Sequence, residues 1–250
     1  MNSLTDVMRP GKDGTRYAAR RRELETYFDR TAAQAWARLT SDEKVSRVRA
    51  TVRAGRDAMR ALILSRLGED LRDRRLLDAG CGTGALAAEA AARGAAVTAI
   101  DLSPTLVGIA RERCPAALPD GAATEPGRVS FLSGDMLDDA LGTHDHVVAM
   151  DSLIHYQLPD IVQALSMLAL RTRRSIVFTV APSTPMLTVM HAVGKLFPKG
   201  DKSPAIEPAR LGRLSDAIAA APALSDFEIT YSQRIASGFY TSQCVELTRR

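Results

Sequence analysis

The stretch L-L-D-A-G-C-G-T-G-A, Leu76 to Ala85, decides how the rest of the chain is read. An apolar pair, Leu76 and Leu77, runs into Asp78; glycines follow at positions 80, 82 and 84. Leu86 to Arg93 then reads as a helix closed by Gly94. Strand, glycine turn and helix together bring a ligand's polar end against bare backbone. Glycine accepts positive φ and carries no side chain, and a helix N-terminus presents N–H groups without intrahelical partners. Taken alone, Gly80-x-Gly82-x-x-Ala85 suits a dinucleotide as well as any other adenosine-bearing cofactor.

Outward from this turn the chain alternates between strand and helix. Arg75–Asp78 is followed by A-A-V-T-A-I-D, ending at Asp101, and a helix opens at L-S-P-T with Pro104 in its first turn. Strands are expected at Val129–Leu132, at H-D-H-V-V-A-M-D ending at Asp151, and at Ser175–Val180, with a helix carrying Ile161, Leu165 and Leu168 between the last two. The connections leave room for right-handed parallel crossovers. Two terminal strands, Asp226–Gln233 and Phe239–Thr248, are linked closely enough for an antiparallel hairpin. The fold expected is therefore α/β, a doubly wound, Rossmann-like sheet, mostly parallel with an antiparallel last strand, and with core residues 70–182 and 224–250.

Helices frame this core. Residues 1–19 are rich in charge, glycine and polar side chains and are expected to be mobile. A stripe of Leu24, Tyr27, Phe28, Thr31, Ala35, Trp36 and Leu39, then one of Val45, Val48, Val52, Met59, Ile63 and Leu67, predicts a helical arm or cap over residues 20–69. Residues 183–223 read as an inserted helical cap, with helices at Pro185–Phe197 and Ala209–Ala221, and residues 115–128 as a polar loop.

The composition narrows the function. With 250 residues, 46% hydrophobic and 25% charged, the chain has the make-up of a soluble globular protein. It has no run long enough to span a bilayer and no apolar signal core near Met1, so a cytoplasmic protein is expected. Cys81, Cys114 and Cys244 show no metal spacing and are expected as reduced thiols, with no protein metal site. The net charge of +4 is uneven: residues 1–75 hold 18 Lys and Arg against 11 Asp and Glu, the rest 15 against 18. A basic front end suits an anionic substrate, an acidic partner or peripheral contact with a membrane surface, and equally a solvated helix face. Without aromatics interleaved among the cations, no nucleic-acid partner is expected.

Three acids end three successive strands. Asp78 precedes the glycines, Asp101 lies 17 residues beyond Gly84, and Asp135 follows in S-G-D-M. A carboxylate at the second position can accept both hydroxyls of a ribose; one at the third can accept from an adenine amine, with Met136 against the ring. One such Asp is commonly a helix cap, but three in order are not. This arrangement resembles the class I S-adenosylmethionine-dependent methyltransferases, and the terminal hairpin fits that family too. The resemblance implies S-adenosylmethionine as co-substrate, held by Asp78, Gly80, Cys81, Gly82, Asp101, Leu102, Asp135, Met136 and Asp151, with Asp78 anchoring the methionine end directly or through water. A nicotinamide-dependent dehydrogenase using the same turn is the rival from another class.

Further segments indicate the acceptor. M-D-S-L-I-H-Y (150–156), Y-F-D-R-T-A-A-Q-A-W (27–36), the apolar and proline-rich run 178–206, and S-G-F-Y-T-S-Q (237–243) together resemble the magnesium-protoporphyrin IX O-methyltransferases of purple bacteria, across nearly the whole chain. That resemblance implies esterification of one propionate of Mg-protoporphyrin IX, the 13-propionate, for bacteriochlorophyll synthesis. It also implies Tyr27 and His155 as catalytic residues and the large porphyrin-binding subunit of magnesium chelatase as a partner. Magnesium would arrive within the substrate.

The chemistry asks little of a base. A propionate resembles a Glu side chain, with a pKa of about 4.3, and is ionised at neutral pH. The demand is for water removal and alignment, so His155 and Tyr27 are read as orienting groups before general bases. Bland readings remain beside these: His155 as a strand-end histidine, Tyr27 as part of a buried stripe. For a flat tetrapyrrole, Tyr156, Met186, Met190, His191 and Lys195 are candidate substrate contacts. Met adapts to a planar ligand, and His191 and Lys195 share a helix face. The glycine turn alone also permits a quinone or another small apolar acceptor, and a non-catalytic porphyrin carrier would keep the same fold.

Overall fold

The computed structural model describes residues 12–32, 47–118, 125–183 and 206–250. The elements are α1 (Lys12–Thr26), a π-helical turn (Tyr27–Ala32), α2 (Arg47–Leu67), β1 (Arg75–Ala79), α3 (Ala85–Ala92), β2 (Ala96–Asp101), α4 (Pro104–Arg113), β3 (Val129–Ser133), β4 (His144–Ala149), α5 (Leu158–Ala169), β5 (Thr172–Val180), α6 (Leu211–Ala219), β6 (Phe227–Ser237) and β7 (Tyr240–Arg249). The strands form one sheet in the order β3-β2-β1-β4-β5-β7-β6. The five strands β1 to β5 pair in parallel, and β7 inserts antiparallel between β5 and β6.

The sheet is buried on both faces, and side-chain alternation assigns each residue to a face. Leu77, Val147, Ile176, Phe178 and Val245 join one core; their strand neighbours Leu76, Val148, Val177 and Cys244 join the other. The first core is closed by α1, α5 and α6, the second by α2, α3 and α4. Helix α5 shows why it docks: Ile161, Ala164, Leu165 and Leu168 are all buried on one stripe. Each buried Leu or Ile contributes about 1.5–3 kcal/mol. Helix α4 starts where its sequence says, since Ser103 Oγ accepts from Leu106 N at 3.2 Å with Pro104 in the first turn.

Several boundaries differ from the sequence reading. Helix α1 opens at Lys12, inside the stretch expected to be mobile, because Tyr17 and Leu24 reach the first core and carry the helix with them. The helix passes into π-helical winding at Tyr27, a form that recurs at functional positions. The stripe beyond Ala32 lies outside the described residues up to 46. Helix α2, expected within an arm, is a core helix, with Met59, Ile63 and Leu64 fully buried. Helix α6, expected within the inserted cap, packs Leu214 and Ile218 in the first core. Strand β4 stops at Ala149, two residues before Asp151, which adopts φ 55°. Strand β5 begins at Thr172, three residues early, where exposed Arg173 and Arg174 conceal the apolar pattern.

Candidate active site

A cavity of about 280 Å³ opens at the carboxyl ends of β1 to β4, beside the point where strand order reverses between β1 and β4. Open α/β sheets bind ligands at such a point. The glycine turn forms its floor. Gly80 N and Cys81 N donate to Ile100 O at 2.8 and 3.0 Å, which folds the turn across β2. Gly80 sits at φ 88°, and a Cβ there would collide with Ser152; Gly82, at φ 53°, has nothing within 4 Å of the place a Cβ would take. Backbone is thus presented to open space at Gly82. The Cys81 thiol lies against Gly82 O at 3.8 Å, and burial raises its pKa.

The expected acids come together around this turn. Asp101 accepts from Gly82 N at 2.9 Å through Oδ2 and from Ser103 N at 3.0 Å through Oδ1. Those bonds lower its pKa, but burial outweighs them and raises it. Two backbone bonds leave a carboxylate further acceptor sites. Asp78 is 1% exposed and lines the cavity, and its Oδ2 has no hydrogen-bond partner among the described residues. Burial, reinforced by the nearby Asp101 charge, pushes its carboxyl up to about 7. Leu102 and Met136 line the wall between β2 and β3.

Asp135 is engaged by the N-terminal helix, which the sequence reading did not anticipate. It accepts from Tyr17 Oη at 3.0 Å, Arg21 Nη1 at 2.7 Å and Leu137 N at 3.0 Å. Tyr17 stacks on Tyr156 with ring centres 5.1 Å apart, and burial raises the pKa of both phenols. Arg16 forks onto the buried Asp160 at 2.9–3.1 Å, and Arg20 Nε donates to His155 O at 2.9 Å. The π-helical turn is fixed in the same way: Asp29 accepts from Ser103 Oγ, Thr105 N and Thr105 Oγ1 at 2.7–3.2 Å. Helix α1 and this turn therefore roof the ends of β2 and β3.

His155 is 7% exposed and lines the cavity. Its ring meets Phe28 edge-on, 5.6 Å between centres. Tyr27 meets Phe28 edge-on, 5.2 Å between ring centres, and is not among the residues lining the cavity. Phe28 therefore touches the rings of both expected catalytic residues. Tyr156 is 3% exposed, lying under Tyr17. Met186, Met190, His191 and Lys195 lie outside the described residues.

Asp151 closes the β4 end. Its backbone N donates to Thr179 Oγ1 at 2.8 Å, and its carboxylate accepts from Tyr240 Oη at 3.1 Å, Thr179 Oγ1 at 3.3 Å and Ser242 Oγ at 3.4 Å. Arg56 Nε, from α2, approaches it to 3.6 Å. Arg53 and Arg56 line the cavity and were not singled out from the sequence. Their spacing of three on a helix was the only available sign. Among the described residues, no group of three or more His, Cys, Asp or Glu is placed to hold a metal, and no helix is long and apolar enough to cross a membrane.

Known proteins share this arrangement. Residues 149–249 match the family model for the magnesium-protoporphyrin IX methyltransferase C-terminus, and residues 76–174 match a methyltransferase domain. The chain is 52% identical over 231 residues to the magnesium-protoporphyrin O-methyltransferase of Rhodobacter capsulatus, covering 92% of this chain and 97% of that one. It is 31% identical to the Synechocystis enzyme of the same name over 72% of this chain and 76% of the relative. The crystal structure of magnesium protoporphyrin IX methyltransferase from Synechocystis with bound S-adenosylhomocysteine superposes with a TM-score of 0.75 at 26% identity, over 92% of this chain and 99% of that one. A ubiquinone biosynthesis O-methyltransferase of Xanthomonas euvesicatoria matches only 52% of the chain. Identity that extends over nearly the whole of both chains, and not the cofactor-binding half alone, means that the chain belongs to the magnesium-protoporphyrin O-methyltransferases, a family of S-adenosylmethionine-dependent enzymes.

Proposed function

We propose that this chain esterifies one propionate of Mg-protoporphyrin IX with the methyl group of S-adenosylmethionine, the 13-propionate by family resemblance, to give the monomethyl ester. The observation that carries the reading is the row of Asp78, Asp101 and Asp135 around bare glycine backbone, facing a wall that holds His155. The residues suit the co-substrate. The orphaned Oδ2 of Asp78 fits an ammonium, Asp101 keeps acceptor sites for ribose hydroxyls, and Gly82 leaves space where a side chain would intrude. Asp135, with Met136 and Leu102, would meet the adenine; Gly80, Cys81 and Asp151 would border the aminoacyl end.

When bound, the co-substrate supplies an electrophilic methyl on a sulfonium. The chain's own residues have three tasks. Helix α1 and the π-helical turn cover the cavity and exclude water, which strengthens every charge interaction inside it. His155, buried and held through its carbonyl by Arg20, presents a ring that can donate to the acceptor carboxylate. Tyr27, in edge-on contact with Phe28, is read as a second orienting group for the porphyrin. Because a propionate is already ionised near neutrality, alignment outweighs proton abstraction. Tyr156 is read as supporting the wall, and Met186, Met190, His191 and Lys195 as contacts to the tetrapyrrole and its second propionate. The basic first 75 residues suit docking on the large subunit of magnesium chelatase and peripheral contact with a membrane surface.

Incubation with labelled S-adenosylmethionine and Mg-protoporphyrin IX tests the reading. Label in a porphyrin ester is expected; label in an unrelated acceptor such as a quinone, with no ester, refutes it. His155→Ala and Tyr27→Phe should lower kcat with S-adenosylhomocysteine affinity retained. A porphyrin carrier would show no rate to lower.

A further inference from the structure

We propose that Asp29 is a positioning residue for methyl transfer. It ties the π-helical turn to the start of α4, and through its neighbour Phe28 it fixes the His155 ring in the same frame as the ribose-binding end of β2. The inference rests on the function proposed above and deepens it, since it names what holds donor and acceptor groups in register.

Adjacent residues of the turn address two different parts of the site. Phe28 lines the cavity and meets the His155 ring edge-on, 5.6 Å between centres. Asp29 is directed to the connection between β2 and α4. Its Oδ1 accepts from Thr105 Oγ1 at 2.7 Å, Ser103 Oγ at 3.1 Å and Thr105 N at 3.2 Å. Thr105 stands in the first turn of α4, where backbone N–H groups have no intrahelical partner and the helix dipole favours negative charge. Ser103 Oγ already serves Leu106 N. Asp29 therefore brings to Thr105, from a distant segment, the acceptor that the helix itself does not supply.

The same connection carries the acid expected at the ribose. Ser103 is fully buried, and its backbone N donates to Asp101 Oδ1 at 3.0 Å. Asp101 Oδ2 accepts in turn from Gly82 N at 2.9 Å. A series of bonds thus runs from the glycine turn through Asp101 and Ser103 to Asp29. The chain extends it by one residue to Phe28, and ring contact extends it to His155. Leu102, between Asp101 and Ser103, packs with Phe28 against the first core.

Helix α1 is seated by Tyr17, Arg20, Arg21 and Leu24, all of which precede Tyr27. Asp29 makes the bonds that seat the turn beyond them. Without those bonds α1 still covers the cavity, but Phe28 and the imidazole it abuts lose their fixed placement. Alignment is the demand of this reaction, and a misplacement of about 1 Å can cost about 100-fold in rate. The loss should therefore fall on kcat and spare co-substrate binding.

Steady-state kinetics and calorimetry on the full chain test this. Asp29→Ala should lower kcat roughly 10- to 100-fold, with S-adenosylhomocysteine affinity within about 2-fold of wild type. Retained affinity also shows that the variant is folded. All three bonds converge on Oδ1, an oxygen that asparagine keeps, so Asp29→Asn should restore most of the rate. Thr105→Val, at an exposed position, removes the 2.7 Å bond without touching Asp101 and should lower kcat about 3- to 10-fold. A double-mutant cycle then identifies the route. If Asp29 acts through the His155 ring, Asp29→Ala should cost little further rate in a His155→Ala background. Full additivity of the two substitutions, a rate loss that Asp29→Asn does not restore, or a fall in S-adenosylhomocysteine affinity as large as the fall in kcat overturns the proposal. A loss in His155→Ala with none in Asp29→Ala or Thr105→Val overturns it alone. An unchanged kcat in His155→Ala overturns the orienting role of His155 in the proposed function, and the positioning role with it.

Discussion

Gly55→Ala sets two forces of known size against each other. Gly55 lies inside α2, and a helix-interior glycine costs about 1 kcal/mol relative to alanine, so propensity alone predicts stabilisation. The packing predicts the reverse. A Cβ at this position would stand 2.5 Å from Cδ1 of Tyr240 and 2.8 Å from its Cβ and Cγ. These are not the free end of a flexible side chain. The Tyr240 Cβ is fixed to β7, and its hydroxyl is bound to Asp151 at 3.1 Å. The helix must move instead, and it is held by Met59, Ile63, Leu64 and Leu67, all buried in the second core. Overpacking of this kind costs about 1–3 kcal/mol, so the net effect is a loss of up to about 2 kcal/mol after the gain in propensity. For a chain of this length, a fall in Tm of up to about 4–8 °C is expected in thermal denaturation followed by circular dichroism. A rise in Tm of about 2–4 °C, the value propensity alone requires, would refute the close approach of α2 to β7.

Other groups give further tests. Burial holds Asp78 near 7, above its unfolded value of about 3.9, so its neutral form is favoured in the fold. The unliganded protein gains stability from this group as pH falls from 7 toward 4, and an ammonium beside it reverses the preference. S-adenosylhomocysteine binding at pH 6.5 should therefore release protons, measured by calorimetry in buffers of different ionisation enthalpy; release that persists in Asp78→Asn would exclude this carboxyl as the source. His144 and His146, at the opposite end of β4, are held near 4, mainly by burial. Their contribution is complete above pH 6.5 and lost as pH falls through 4, about 3 kcal/mol for each, so His144→Gln should move the acid unfolding midpoint to lower pH; an unmoved midpoint would deny it. Arg16→Ala leaves the carboxylate of Asp160, 3% exposed, without its fork. A loss of about 2 kcal/mol in α1 docking should raise proteolytic cleavage within Lys12–Thr26 about 30-fold, whereas unchanged cleavage would mean that Tyr17 and Leu24 suffice.

The two halves of the site differ in how they are encoded. The glycine turn, Asp78 and Asp101 were legible because each signal is local: an apolar run, an acid at its end, then glycine or proline within a few residues. The terminal hairpin was legible for the same reason, with Gly238 and Phe239 between its strands. The roof was not. Tyr17 and Arg21 reach Asp135 across 118 and 114 residues, and Tyr240 reaches Asp151 across 89. No periodicity records such pairs. Helix α1 is mostly charged, so its sequence reads as solvated; three arginines at 16, 20 and 21 hold it down by hydrogen bonds to Asp160, His155 and Asp135, where a hydrophobic face would have been visible. Asp151 was placed at a strand end, but its left-handed backbone, which ends β4 two residues early, has no signature in M-D-S. The consequence is functional. The half that meets the adenosine is written in neighbouring residues at strand ends, whereas the half that covers the cavity depends on polar contacts from distant segments. Substitutions in the first should act on co-substrate affinity alone, and substitutions in the second should alter affinity and closure together, because Asp135 belongs to both.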